Sequence, residues 1–553
     1  MKLLILGGYG VFGGRLAQLL ADVDGLKILV AGRSLAAAEA FCRGWHGAAT
    51  LRPLQLDRAD VAAALASEQP DLIVDATGPF QAYGTDPYAT VRAAIAAGVN
   101  YMDFADGSDF VFGIDRFDAD ARAAGVFVLS GVSSFPVLTA AVLTEMGRTM
   151  TVRKVSGGIA PSPYAGVGMN VMRAVLGYTG GPVRLKRHGA DTAGVGLGES
   201  LRYTVAVPGQ PPLDNLRFSL VDVPDLQLLP QLMPQITDIW IGAGPVPESL
   251  HRMLNLLARA RHHLRLPALS PLAPLCHRVL NTMRFGAHRG GMFVEAEGLQ
   301  DGRPVTRSWH LIAEGDDGPL IPSMAIEGLV RKWLGGARPD PGARPATGAL
   351  TLEDYTGLFA RRAIRTGWRD GAEGPLYQQI LGPLYADLPP RMAALHRPGA
   401  RSIWRGRAEI TRGSSTLSGL IAALFGFPKA GRDVPVEVTF TTDAQGRETW
   451  QRRFGARIMQ SRQSLGCGRN QHLVIEQFGP FSFGLAITWD GTRLGIIPRR
   501  WSCLGLPLPR FLMPGGDSHE CEIDGRFHFH VEITVPLIGP VVRYEGWLLP
   551  EAL

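Results

Sequence analysis

The stretch Leu6-Gly7-Gly8-Tyr9-Gly10-Val11-Phe12-Gly13-Gly14 constrains this chain more than any other. An ordered glycine costs more backbone entropy than an alanine, so five of them in eight positions must answer a local need. The apolar run before them, residues 2–6, reads as a short buried strand, and residues 11–20 carry apolar side chains at helical spacing. Gly8, Gly10 and Gly13 therefore fall at G-x-G-x-x-G spacing on a strand-to-helix turn. There one glycine permits the tight turn, one lets a pyrophosphate approach the backbone, and one lets helix and strand pack closely. The helix N-terminus that follows offers free N–H groups to an anion. The turn predicts a dinucleotide-binding segment made by Gly8, Tyr9, Gly10, Val11, Phe12 and Gly13.

The next 120 residues support that reading. Strand-like runs (LKILVAGRS, LRPLQLD, DLIVDATGPF, NYMDFAD, VFVLSGV) alternate with helix-like runs as far as residue 131. Six strands with helical crossovers predict a doubly wound parallel sheet, a Rossmann domain over residues 1–131, with its ligand at the carboxyl ends of the strands. An enzyme preferring NAD would carry an acid at the end of the second strand; this one reads Ala31-Gly32-Arg33-Ser34. Arg33 and Ser34 suit a 2′-phosphate through charge-assisted hydrogen bonds, so the expected cofactor is NADP(H). Asp57 is placed to meet the adenine edge, and the alternative role of helix N-cap is compatible with it. Thr77, Gly78, Pro79 and Phe80 carry the chain beneath the expected nicotinamide, with Phe80 either shielding the ring or filling the core.

Residues 132–366 change texture. TVRKVSGGIAP, LRYTVAVPG, GMFVEAEGL and RPVTRSWHLIAEG read as strands of a more open sheet broken by helices, an α+β substrate or dimerisation domain that leaves a homodimer open. The helix within 321–345 is expected to return to the Rossmann domain. ARPDPGARPATG reads as a loop, and residues 367–375 as the domain boundary. Residues 374–553 then alternate in β fashion between Gly, Pro and Asp punctuation. They predict an antiparallel β domain, a curved sheet or partial barrel, interrupted by one helix, LSGLIAALFGF, that serves as a lid over a lipid pocket or as packing for the sheet.

A net charge of +6 from 56 basic and 50 acidic residues, with no basic run interleaved with aromatics, argues against a nucleic-acid partner. Five cysteines without a C-x-x-C pair fit a reducing compartment. The sequence opens directly in a strand, without a signal-peptide pattern, and no apolar run reaches about 18 residues. The expectation is a cytoplasmic protein, with peripheral contact to the inner face of the membrane left open.

GGYGVFG, VAGRS, ATGPF, AAGVNYMDFADG and GVFVLSGVSSFPVLTAAV, followed by RGGMFVEAEGLQDGRP and WHLIAEGDDGPLIP, together resemble the saccharopine-dehydrogenase-like (saccharopine reductase) NADP-binding family over about residues 1–350. The resemblance implies a Rossmann domain with NADP(H) and a second α/β domain, in a family whose members act on amino acids or on long-chain lipids. FGFP, WQRRF, EQFGPFSF, LPLP and YEGWLL are similar to a bacterial domain of unknown function found appended to such reductases. The second domain shows no cluster of Arg and acid to grip an amino-dicarboxylate, and residues 250–285 are rich in Leu, Met and Ala. Saccharopine is therefore not the expected substrate.

Hydride transfer needs the cofactor, an apolar pocket and one acid to move a proton. Tyr83, Tyr101, Asp103, Asp106, Ser133 and Ser134 lie near the strand ends, with Asp103 and Tyr101 the chosen candidates. No Tyr-x-x-x-Lys pair follows the fourth strand. In DSHECEIDGRFHFHVEI, an Asp524-Gly525 hairpin turn would pair Ile523 with Arg526, Cys521 with His528 and His519 with His530 on one face. The expected arrangement has no metal, although these ligand types leave a zinc site open. The sequence supports an NADP(H)-dependent oxidoreductase acting on an apolar substrate, a lipid or isoprenoid. The alternative is a non-catalytic lipid-binding or scaffold protein that retains a dinucleotide.

Overall fold

The computed structural model describes residues 1–244, 247–282, 284–371 and 374–551, so residues 372 and 373 of the expected boundary lie outside the described residues. Two compact units divide the chain: residues 1–201 with 217–365, and residues 202–216 with 366–553.

The first unit carries a parallel sheet built from β1 (Lys2–Leu6), β2 (Lys27–Gly32), β3 (Thr50–Gln55), β4 (Leu72–Asp75), β5 (Asn100–Asp103) and β6 (Phe127–Ser130). Their order is β3-β2-β1-β4-β5-β6, with helices α1 (Val11–Leu19) and α2 (Leu35–Arg43) following β1 and β2. β1 and β4 are short apolar runs because both faces of a parallel sheet are covered. The order reverses between β1 and β4, which puts a crevice at their carboxyl ends.

A seventh strand, Gly342–Pro345, runs parallel to β6. This corrects the reading of ARPDPGARPATG as loop. An edge strand tolerates the proline and glycine that hid it, because its outer side needs no ladder hydrogen bonds. The helix Ile321–Leu334 packs on α1, where Ser323 Oγ donates to the Phe12 carbonyl at 3.2 Å and Arg331 donates to that of Leu19 at 2.8 Å.

Beside this domain lies a mixed sheet. Thr151–Ala160 pairs in parallel with Asp238–Ala243 and antiparallel with Arg289–Gln300, which forms a long hairpin with Arg303–Glu314. The greasy stretch after residue 248 is only half used. Helix Glu248–Leu264 buries His251, Leu254, Asn255 and Ala258, while Leu256, Leu264, Leu275 and Phe285 stand exposed.

The second unit closes completely. Ten antiparallel strands run in the order 481–489, 474–478, 457–465, 448–454, 431–442, 401–412, 539–550, 526–535, 518–523 and 493–503, and the last pairs back with the first. Full closure leaves no open edge to aggregate, where the sequence alone pointed to a curved sheet or partial barrel. The helices Leu376–Leu381 and Pro390–Leu395 contribute Tyr377, Leu381, Met392 and Leu395 to the barrel core. Inside is a cavity of about 410 Å³.

The hairpin register is the one expected: Ile523 opposite Arg526, Cys521 opposite His528, and His519 opposite His530. The rings of His519 and His530 stack at 5.0 Å, and each pairs with a carboxylate, Asp517 and Glu545 respectively. Among the described residues no group of three or more His, Cys, Asp or Glu side chains is arranged to hold a metal ion. No helix of the described residues is long and apolar enough to cross a membrane.

Candidate dinucleotide site

Gly7 adopts φ +81° as the chain leaves β1, and the N–H groups of Gly7 and Gly8 both donate to the Ala31 carbonyl, at 2.8 and 2.9 Å. The turn is thereby pinned to β2. A Cβ at Gly13 would stand 2.4 Å from the Gly7 carbonyl oxygen, so only glycine permits this approach of α1 to the turn. Gly10 is the N-cap of α1 and supplies no side-chain cap, and the first turn of the helix holds no acid. Its leading N–H groups are left to an anion.

At the end of β2, Arg33 and Ser34 are both exposed. Ser34 caps α2 by accepting from the Ala37 N–H at 3.3 Å, which leaves its own hydroxyl hydrogen available. Tyr9 bridges the turn and this strand end. Its hydroxyl accepts from the Ser34 N–H at 3.0 Å and its ring lies over Gly32, where a Cβ would come within 2.5 Å of it. Asp57 is exposed and accepts from the Ala59 N–H at 3.0 Å, the N-cap role weighed for it.

Beyond β4 the chain is held from both sides. Asp75 is fully buried and accepts from the N–H and hydroxyl of Thr77, while Arg58 lies 3.8 Å from its other oxygen and over the Tyr83 ring. Burial pushes the Asp75 carboxyl above its usual range against these contacts. From the neighbouring domain of the same unit, the Asn170 amide donates to the carbonyls of Thr77 and Gly78, at 3.1 and 2.7 Å. Phe80 is 5% exposed and packs on Tyr83 and Phe110 at 4.8 and 5.0 Å. It packs in the hydrophobic core of the domain, the second of the two roles weighed for it.

The two candidate proton donors are both buried. Tyr101 sits in the hydrophobic core of the domain. Asp103 is enclosed at the strand ends, where it accepts from the N–H groups of Ala105 and Gly131 and from the Ser130 hydroxyl. Burial pushes its carboxyl up to about 7 despite these donors. The Tyr101 hydroxyl and the Asp103 Oδ2 are buried without a hydrogen-bond partner among the described residues. Asp103 fixes the loops after β5 and β6, which is a positioning role.

Sequence reasoning named Asp106 but missed Asn170 and the two residues that gather with Asp106, Tyr178 and Asp222. The Tyr178 phenol is raised by burial and by the two carboxylates, and Asp222 accepts from Ser108 at 3.1 Å. Asn170, Tyr178 and Asp222 come from loops and helices of the second domain, with no spacing motif to announce them.

The parallel sheet and glycine turn define a dinucleotide-binding domain at the head of the chain. Residues 3–129 match the family model described as saccharopine dehydrogenase NADP binding domain, and residues 388–548 match a domain of unknown function, DUF4166. Saccharopine dehydrogenase (L-Glu forming) from Saccharomyces cerevisiae is similar over 67% of this chain and 100% of its own, with 13% identity and a TM-score of 0.47. The diaminopimelate (DAP) dehydrogenase of C. glutamicum is similar over 65% and 98%, with 14% identity and a TM-score of 0.34. An amine dehydrogenase from Mycobacterium smegmatis is similar over 63% and 94%, with 12% identity and a TM-score of 0.31. No curated protein matches the chain.

Proposed function

We propose that this chain is an NADP(H)-dependent oxidoreductase that passes hydride between the nicotinamide and an apolar substrate. The observation that carries the reading is the pairing of an uncapped α1 N-terminus with an exposed Arg33 and Ser34 at the end of β2. Gly8 to Gly13 would receive the pyrophosphate, Arg33 and Ser34 the 2′-phosphate, and Asp57 the adenine edge. Thr77, Gly78 and Pro79, tied down by Asn170, would form the nicotinamide floor. The bound cofactor would supply the hydride; the chain's own residues would bind it and orient it. The barrel cavity supports an apolar substrate.

A second reading is favoured by the enclosure of Asp103 and Tyr101: a lipid-binding protein that keeps the dinucleotide without turning it over. The two readings separate in one experiment on the full chain, NADPH absorbance followed after addition of a membrane lipid extract. The oxidoreductase oxidises NADPH; the binding protein holds it unchanged. Arg33→Asp is expected to cut the preference for NADPH over NADH about 10–100-fold, because a charge-assisted pair is replaced by repulsion. An unchanged preference overturns the NADP(H) assignment.

A further inference from the structure

The barrel wall is mostly apolar on its inside, with a few polar groups. Strand 526–535 turns Phe527, Phe529, Val531 and Ile533 to the cavity, and strand 431–442 turns Val436, Val438 and Phe440 to it. Strands 448–454, 457–465 and 474–478 add Arg452, Gln463 and Glu476 beside Trp450, Phe454 and Phe478. At about 410 Å³ the cavity falls in the range of small-molecule sites, about 300–1,000 Å³.

The one cation there is already matched, and the acid Glu532 accepts only from the Thr534 hydroxyl, at 3.3 Å, among the described residues. Arg452 donates to Glu476 at 3.2 Å and to Ser461 at 2.8 Å, and Glu520 pairs with the buried His396 at 2.6 Å. Two groups are not matched. The Tyr377 hydroxyl and the Gln463 Oε1, in residues 0% and 2% exposed, have no hydrogen-bond partner among the described residues, and both residues line the cavity. An unpaired buried polar group of this kind is destabilising, and a ligand group of the right polarity relieves it. Gln463 Oε1 calls for a donor, and the tyrosine hydroxyl supplies or accepts a hydrogen bond.

We infer that the barrel cavity is a binding site for an uncharged long-chain lipid bearing a hydroxyl group, its chain along the Phe and Val wall and its hydroxyl at Tyr377 and Gln463. A carboxylate or phosphate head would face Glu476 and Glu520 with no unpaired cation to meet it, so charge selects against anionic lipids. Entry is apolar as well. Helix Thr416–Leu424 lends Ile421 and Leu424 to the cavity lining and leaves Leu417 and Leu420 exposed, so the one segment both borders the cavity and presents apolar side chains to the outside. The inference rests on the proposed oxidoreductase reading only for the ligand's role as substrate.

The test is calorimetric titration of the full chain with 1-decanol and with decanoate, alongside NADPH binding in the same preparation. Binding of 1-decanol at least tenfold tighter than decanoate is expected. Gln463→Leu and Tyr377→Phe should each weaken 1-decanol about 3–10-fold, the worth of one hydrogen bond. Val438→Trp should abolish binding by filling the cavity. Failure of the wild-type chain to bind 1-decanol, or equal affinity for decanoate, overturns the site whether or not the variants fold. Decanol binding without NADPH binding keeps the site and removes the redox reading; NADPH oxidation without decanol binding does the reverse.

Discussion

The glycine turn of the first unit and the barrel cavity of the second are built for opposite kinds of ligand. At the turn nearly every contact on offer is backbone, held at fixed distance by hydrogen bonds to the Ala31 carbonyl and by the closeness of Gly13 to Gly7. In the barrel, the ladder hydrogen bonds are spent within the wall, and what faces inward is side chain, mostly apolar with a few polar groups on strands 448–454, 457–465 and 474–478. A backbone site reads the common phosphate chemistry of a cofactor. A side-chain site can be reshaped residue by residue for a particular substrate.

That contrast breaks most sharply at Gly13. Gly13→Val places atoms where the Gly7 carbonyl already stands, and NADPH binding measured by fluorescence should fall about 100-fold, since overpacking of rigid backbone here costs ~3 kcal/mol, the upper end of the usual range. Binding of 1-decanol should be unaffected. Asn170→Ala removes the two hydrogen bonds that hold the Thr77 and Gly78 carbonyls, and is expected to weaken NADPH about 10-fold. Smallest is a pH effect confined to the first unit. The Asp103 carboxyl is raised to about 7 when folded, against about 3.9 unfolded. The folded state holds the proton longer, so this contribution is complete below about pH 4 and is lost as pH rises through about 7. Asp225, also raised to about 7 by burial, acts in the same direction. Thermal melts of Asp103→Asn should therefore show a flatter decline between about pH 4 and 7 than the parent chain.

The parallel sheet was legible because strands buried on both faces leave unbroken apolar runs, and because the turn glycines have no other use. The hairpin register at Asp524-Gly525 was legible for a similar local reason: two residues fix the pairing. Barrel closure was not, since it needs strand 401–412 to pair with 539–550 from the far end of the unit, and nothing local in either strand announces that. Strand Gly342–Pro345 hid in a composition that reads as loop. At the site, Arg33, Ser34 and Asp57 stand exposed where the motif spacing put them. Asp103, Tyr101 and Phe80 show the limit of that method, for sequence places a residue at a strand end without saying which way the loops fold over it. Asn170 comes from a segment nearly a hundred residues away from the carbonyls it holds.

The measurement that tests the central claim most directly is titration of the full chain with NADPH and with NADH. The account predicts that both bind and that NADPH binds at least ~10-fold tighter, the contribution of charge-assisted contacts to the 2′-phosphate. Equal affinities, tighter NADH, or no binding of either would contradict it.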